Sequence, residues 1–134
     1  MQDGCGRTID YLRLSVTDLC NYRCRYCMPL EGVAKRDHRD MLSLEELAEI
    51  AEACVRCGVK KIRLTGGEPL VRRGIVELCR QLRAIPGLEE LCLTTNGSLL
   101  PQLAAPLREA GLDRLNISLD TLRPDRFSEM TRLG

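Results

Sequence analysis

Four apolar stretches, YLRLSV (11–16), KKIRLT (60–65), ELCLTT (90–95) and RLNISL (114–119), recur with helical patterns between and after them, and this alternation constrains the fold more than any other feature. Each is rich in leucine or β-branched residues and ends in polar or glycine-containing loop residues, as strands do. SLEELAEIAEACVRCG opens with a capping box, Ser43 to Glu46, places Leu44, Leu47, Ile50, Ala51 and Cys54 on one face and closes on Gly58, which predicts a helix. Further helices are expected over 74–85, over 100–110, where Pro106 should bend or shorten the run, and from near Pro124 onward, with Phe127 and Met130 apolar. Strict alternation of strand and helix implies an α/β fold with right-handed crossovers and a parallel sheet.

Each strand also has two unlike faces. Leu12, Leu14 and Val16 oppose Arg13, Ser15 and Thr17, and Ile62 and Leu64 oppose Arg63 and Thr65. Leu91 and Leu93 oppose Cys92, Thr94 and Asn96, while Leu115, Ile117 and Leu119 oppose Asn116, Ser118 and Asp120. A parallel sheet covered by helices on both sides is apolar on both faces. One polar face per strand instead predicts a partial (β/α) barrel, helices outside and polar residues lining an interior. Those polar groups either meet a ligand or pair with one another, because buried polar groups need partners.

Between the first strand and the first helix lies DLCNYRCRYCMP, with thiols at Cys20, Cys24 and Cys27. The loop follows a strand's C-terminal end, where ligands bind in parallel α/β folds. A structural zinc ion closes its shell with four protein ligands, for which Cys5, His38, Cys54 and Cys57 are the candidate fourth donors, and none sits in a second cysteine knuckle. A four-iron cluster held by three thiolates keeps one iron open. Composition narrows the context. With 20 basic and 19 acidic residues the net charge is +1, so no global field draws the chain to nucleic acid or to a membrane. No run approaches the roughly 18 apolar residues of a membrane span, and MQDGCGRTID lacks a signal peptide's apolar stretch. The cytoplasm is the expected compartment, where the eight cysteines stay reduced.

Of the remaining thiols, Cys54, Cys57 and Cys79 read as structural, and Cys92 is open to either reading. Cys54 and Cys57 resemble a redox or metal pair but lie at a helix C-terminus, whose dipole disfavours a thiolate. Cys79 falls on a helix core face, Cys92 shares Thr94's face, and His38 lies in the charged run KRDHRD, read as a solvated loop.

C-x3-C-x2-C with Tyr26 before the last cysteine resembles the signature of the radical S-adenosyl-L-methionine (SAM) enzymes. DYLRLSVTDLCNYRCRYCMP, KKIRLTGGEPLVRR, LTTNG and LNISLDTL together resemble, within them, the GTP 3′,8-cyclase family of molybdenum cofactor biosynthesis, from about Asp3 to the last residue. Cys5 departs from the family, which has an aromatic residue there. The resemblance implies that Cys20, Cys24 and Cys27 hold a 4Fe-4S cluster whose open iron chelates SAM for reductive cleavage to a 5′-deoxyadenosyl radical, with an electron donor as partner. It implies SAM contacts at Gly67, Tyr26 and Ser118. Glu68 of TGGEP is expected to accept from a cationic amino group, although the two glycines also suit a plain strand-to-helix turn. GTP contacts are implied at Arg13, Arg63 and Thr94, all on the polar faces; paired with Asp120 or Glu68, either arginine would be structural instead. Asn96-Gly97 reads as a turn first and a ligand contact second.

The family's product is (8S)-3′,8-cyclo-7,8-dihydroguanosine 5′-triphosphate, and its members continue into a region with a second cluster that binds the purine. No second triple-cysteine motif follows Cys27. The 134 residues are therefore expected to form the N-terminal part of a radical SAM core, about four βα units, that does not cyclise GTP alone. Two other classes fit the thiol loop: another radical SAM enzyme, such as a peptide-maturing one, and a non-enzymatic cysteine-bound metal module. Oligomeric state is not encoded in any of these motifs.

Overall fold

The computed structural model describes residues 2–33 and 41–132. His38 and the whole KRDHRD run (35–40) lie outside them. Four strands, β1 (Tyr11–Ser15), β2 (Lys61–Thr65), β3 (Glu90–Thr95) and β4 (Arg114–Ile117), form one all-parallel sheet in the order β1-β2-β3-β4. The helices are α1 (Leu44–Arg56), α2 (Ile75–Arg83), α3 (Leu100–Glu109) and α4 (Pro124–Thr131). This is the expected α/β arrangement of strands and crossover helices, consistent with part of a radical SAM barrel.

Leu14, Ile62, Leu64, Leu91 and Leu93 bury the apolar face of the sheet beneath α1, α2 and α3, which contribute Leu47, Ala51, Leu78, Cys79, Leu82 and Leu107. The Ser43–Glu46 capping box is formed in both directions. The α1 stripe differs from expectation: Val55 is buried, whereas Ile50 is exposed. Leu47, Ala51 and Val55 recur every four residues, and Ile50 lies about a third of a turn from the centre of that stripe. Pro106 does not break α3, which continues to Glu109. The carbonyl it leaves without a donor belongs to Gln102, an exposed residue, where water can serve as partner.

The fourth unit departs furthest from expectation. Leu115, Ile117 and Leu119, assigned to a core face, are exposed, because α4 does not lie over β4. It docks on the cysteine loop instead. The Arg23 and Arg25 amides donate to the Thr131 and Met130 carbonyls at 2.9 and 3.0 Å, and the Tyr22 and Phe127 rings meet edge-on at 5.8 Å.

Candidate functional site

The site is built at the C-terminal ends of β1, β2 and β3. Beyond Ser15 the chain stays tied to β2: Val16 N–H donates to the Thr65 carbonyl at 3.0 Å, and Gly67 and Glu68 N–H donate to the Thr17 and Leu19 carbonyls, each at 2.8 Å. A side chain at Gly66 would run into the Thr17 carbonyl, and one at Gly67 into the Leu19 and Asp18 carbonyls. Both glycines are thus required by the approach of the cysteine loop's own backbone. Within that loop the Cys27 and Met28 amides donate to the Cys24 carbonyl, closing a turn, while the Arg23 guanidinium donates to the Cys20 and Tyr22 carbonyls at 2.7 and 2.9 Å.

Cys24 is buried, Cys20 half-buried and Cys27 exposed. Burial raises the Cys20 and Cys27 pKa values, and the charge of a Cys24 thiolate raises both further. Three like charges so close need a cation or cluster to ionise together. Among the described residues no group of three or more His, Cys, Asp or Glu side chains is gathered about one point as a single-ion shell would be. Three thiolates are the donor set that would hold a four-iron cluster with one iron open, and Cys20, Cys24 and Cys27 supply three on one loop. Cys54 and Cys57 end α1 at the opposite end of the sheet, and Cys5 precedes β1 there, so none completes the set. Cys79 lies in the core, where burial pushes its thiol up to about 12.

Glu68 does not present its carboxylate to the surface. It is 1% exposed; Oε1 accepts from Leu70 N–H at 3.0 Å and Thr95 Oγ1–H at 2.7 Å, and Oε2 from Asn96 N–H at 2.7 Å. These bonds clamp the loop after β2 to the end of β3. Tyr26 is exposed and donates its hydroxyl to Asp120 Oδ2 at 2.7 Å; that hydrogen bond above all raises the phenol pKa. Ser118 is exposed beyond β4, its amide donating to the Thr95 carbonyl at 2.9 Å.

On the polar face Arg13 and Arg63 are direct cross-strand partners. Arg63 donates to Tyr11 Oη at 2.8 Å and Thr94 Oγ1 at 3.3 Å. Among the described residues neither arginine has a carboxylate partner, since Asp120 is engaged by Tyr26 and Glu68 by β3. Toward the strands' N-terminal ends the face pairs with itself: Glu90 receives Lys61, the Cys92 thiol and Arg114, which together hold its carboxyl down to about 2. Of the two outcomes foreseen for the polar face, pairing of the polar groups with one another occurs around Glu90. Asn21 and Ser98 were not expected as site residues; Asn96 was read as a turn residue first and a ligand contact second, and Asp120 as a polar-face residue that could pair with an arginine.

The profile of the Radical SAM superfamily matches residues 14–134. GTP 3′,8-cyclase from Geobacter sulfurreducens is 62% identical over 132 residues, covering 98% of this chain and 40% of that protein. The enzymes of the same name from Peptoclostridium acidaminophilum and Alkaliphilus oremlandii are 61% and 54% identical, with 98% and 100% of this chain and 41% and 42% of those proteins covered. The chain thus spans about 40% of the length of these curated relatives. No helix among the described residues is long and apolar enough to cross a membrane. With its three-thiol loop held at the C-terminal ends of a parallel sheet and the superfamily match running from the end of β1 through β4, the chain belongs to the radical SAM superfamily.

Proposed function

We propose that this chain supplies the cluster-binding and SAM-binding part, and one end of the substrate site, of a GTP 3′,8-cyclase, a lyase of molybdenum cofactor biosynthesis working in the cytoplasm with an electron donor. The observation that carries the substrate assignment is the register of Arg13 against Arg63. Like charges directly opposite on one sheet face are destabilising, and no carboxylate among the described residues offsets these two. A triphosphate would, through charge-assisted, forked hydrogen bonds. Arg63 is held by Tyr11 and Thr94 with N–H groups to spare. Both arginines lie two residues before the ends of their strands, about 7 Å from where the cysteine loop departs.

Cys20, Cys24 and Cys27 would hold the 4Fe-4S cluster, with SAM against the exposed backbone of Gly67, the ring of Tyr26 and Ser118. Bound there, cluster and SAM supply reductive radical chemistry. The chain's own part is placement: the hydroxyl of Tyr26 is anchored by Asp120, Gly67 lies within one residue of the Leu19 carbonyl, and the arginines fix the anion.

Anaerobic reconstitution should give about four irons per chain, a spectrum that changes on adding SAM, and loss of iron in Cys24→Ala. Arg13→Ala and Arg63→Ala should each weaken GTP binding by about 2–5 kcal/mol with iron content intact. Zinc uptake in place of iron would remove the cluster assignment; unchanged GTP affinity in both arginine variants would remove the substrate assignment.

A further inference from the structure

Asn21, the residue after the first thiol, belongs to a closed ring of side chains. Its Nδ2–H donates to Ser98 Oγ at 2.8 Å, Ser98 Oγ–H donates to Asn96 Oδ1 at 2.7 Å, and Asn96 Nδ2–H donates back to Asn21 Oδ1 at 2.8 Å. Three residues drawn from loops 75 or more positions apart are thereby joined, each donating once around the ring. The ring is anchored at depth. Asn96 N–H donates to the buried Glu68 carboxylate, Ser98 N–H donates to Asn96 Oδ1 at 3.0 Å, and Gly97 N–H donates to Thr95 Oγ1, whose own proton goes to Glu68. All three ring members are half-buried, so these bonds are partly withdrawn from water and are costly to leave unmade.

The rest of the cysteine loop is held by other contacts: Cys24 by the α4 carbonyls that bind the Arg23 and Arg25 amides, and the segment before Cys20 by the backbone of β2. Asn21 is the side-chain tie between the Cys20 end of the loop and β3. We propose that Asn21, Asn96 and Ser98 are positioning residues that fix the first thiol, Cys20, and through it the electronic environment of the group the three thiols hold. The inference rests on the cluster reading above, but the placement of Cys20 in the metal-free chain can be measured independently of it.

Ser98→Ala breaks the ring at one atom, and Ser98→Thr keeps the hydroxyl. In the metal-free full chain at one fixed pH, alkylation of Cys20, read by peptide mass spectrometry, should quicken roughly fivefold in Ser98→Ala, the population change expected from losing the Asn21-to-Ser98 hydrogen bond, the one of the two bonds removed that holds Asn21 directly. Ser98→Thr should restore the original rate. Asn96→Ala should quicken it further, and the buried Cys79 should stay unreactive in every variant, reporting an intact core. In reconstituted protein Ser98→Ala should shift the electron paramagnetic resonance spectrum of the reduced cluster, and Ser98→Thr should return it. An unchanged Cys20 rate in both Ser98→Ala and Asn96→Ala overturns the inference, as does equal acceleration at Cys79, which would show general unfolding. Failure of the unaltered chain to take up iron overturns the cluster reading instead, and the alkylation comparison still decides the placement of Cys20.

Discussion

Leu64 on β2 and Ile117 on β4 come from the same alternating pattern, yet one is sealed from solvent and the other is 58% exposed. The first three strands are held by side-chain burial, with helices laid across one face of the sheet. The β4–α4 unit is held mainly by polar contacts: β4 by its ladder to β3 and the Arg114–Glu90 ion pair, and α4 by two carbonyls that accept from the cysteine loop, the exposed Arg25–Glu129 ion pair and one aromatic contact. Stability therefore resides mainly in the first half of the comparison. The second half bears on the site, because the amides α4 receives flank Cys24.

The largest contrast should come from Leu78→Ala against Leu122→Ala. The first opens a cavity in the core and should cost about 2–5 kcal/mol in urea unfolding; the second, at a residue 88% exposed, should change stability by no more than about 0.5 kcal/mol. Equal losses would erase the division. Gly67→Ala comes next, forcing a methyl against the Leu19 and Asp18 carbonyls at about 1–3 kcal/mol. Its iron uptake should fall as the cysteine loop is pushed from β2, and full uptake would mean that the loop accommodates the methyl without moving its thiols.

Phe127→Ala sharpens the comparison from the other side. The aromatic pair contributes about 0.5–1.5 kcal/mol, and its loss should speed amide exchange at Arg23 and Arg25, whose acceptors lie on α4, while core amides keep their protection. Uniform acceleration across β2 and β3 would show that α4 is part of the core after all. The smallest effect is expected at Glu90, whose pKa is lowered to about 2, first by Lys61, then by the Cys92 thiol and Arg114. A folded-state pKa below the unfolded one means that the carboxylate's contribution is complete above the ordinary carboxylate range and is lost as pH falls toward the folded value. The difference in melting temperature between the unaltered chain and Glu90→Gln should accordingly narrow between about pH 5 and about pH 2. A difference constant over that range would assign Glu90 a role independent of its charge.

Most of the fold was legible because a strand's period of two and a helix's period of 3.6 are local properties. The same period put Arg13, Arg63 and Thr94 on one kind of face before any neighbour was known. The clamp made by Glu68 was not legible for a related reason: sequence places the residue in a glycine loop at a strand end but says nothing of the Thr95 hydroxyl and Asn96 amide that reach it from the end of β3. Ile50 and Val55 show the limit at finer scale, since both satisfy an apolar helical pattern and only the packed neighbours choose between them.

By itself, then, the amino-acid order determined the alternation of strands and helices, which face of each strand is polar, and the three-thiol loop at the end of the first strand. Only the tertiary structure decided that α4 leaves β4 uncovered to dock beside Cys24, that Glu68 turns inward, and that Asn21, Asn96 and Ser98 close a ring. The first group depends on backbone geometry and on neighbours a few residues away. The second depends on hydrogen-bond partners that lie tens of residues apart and meet only after the sheet has brought the strand ends together.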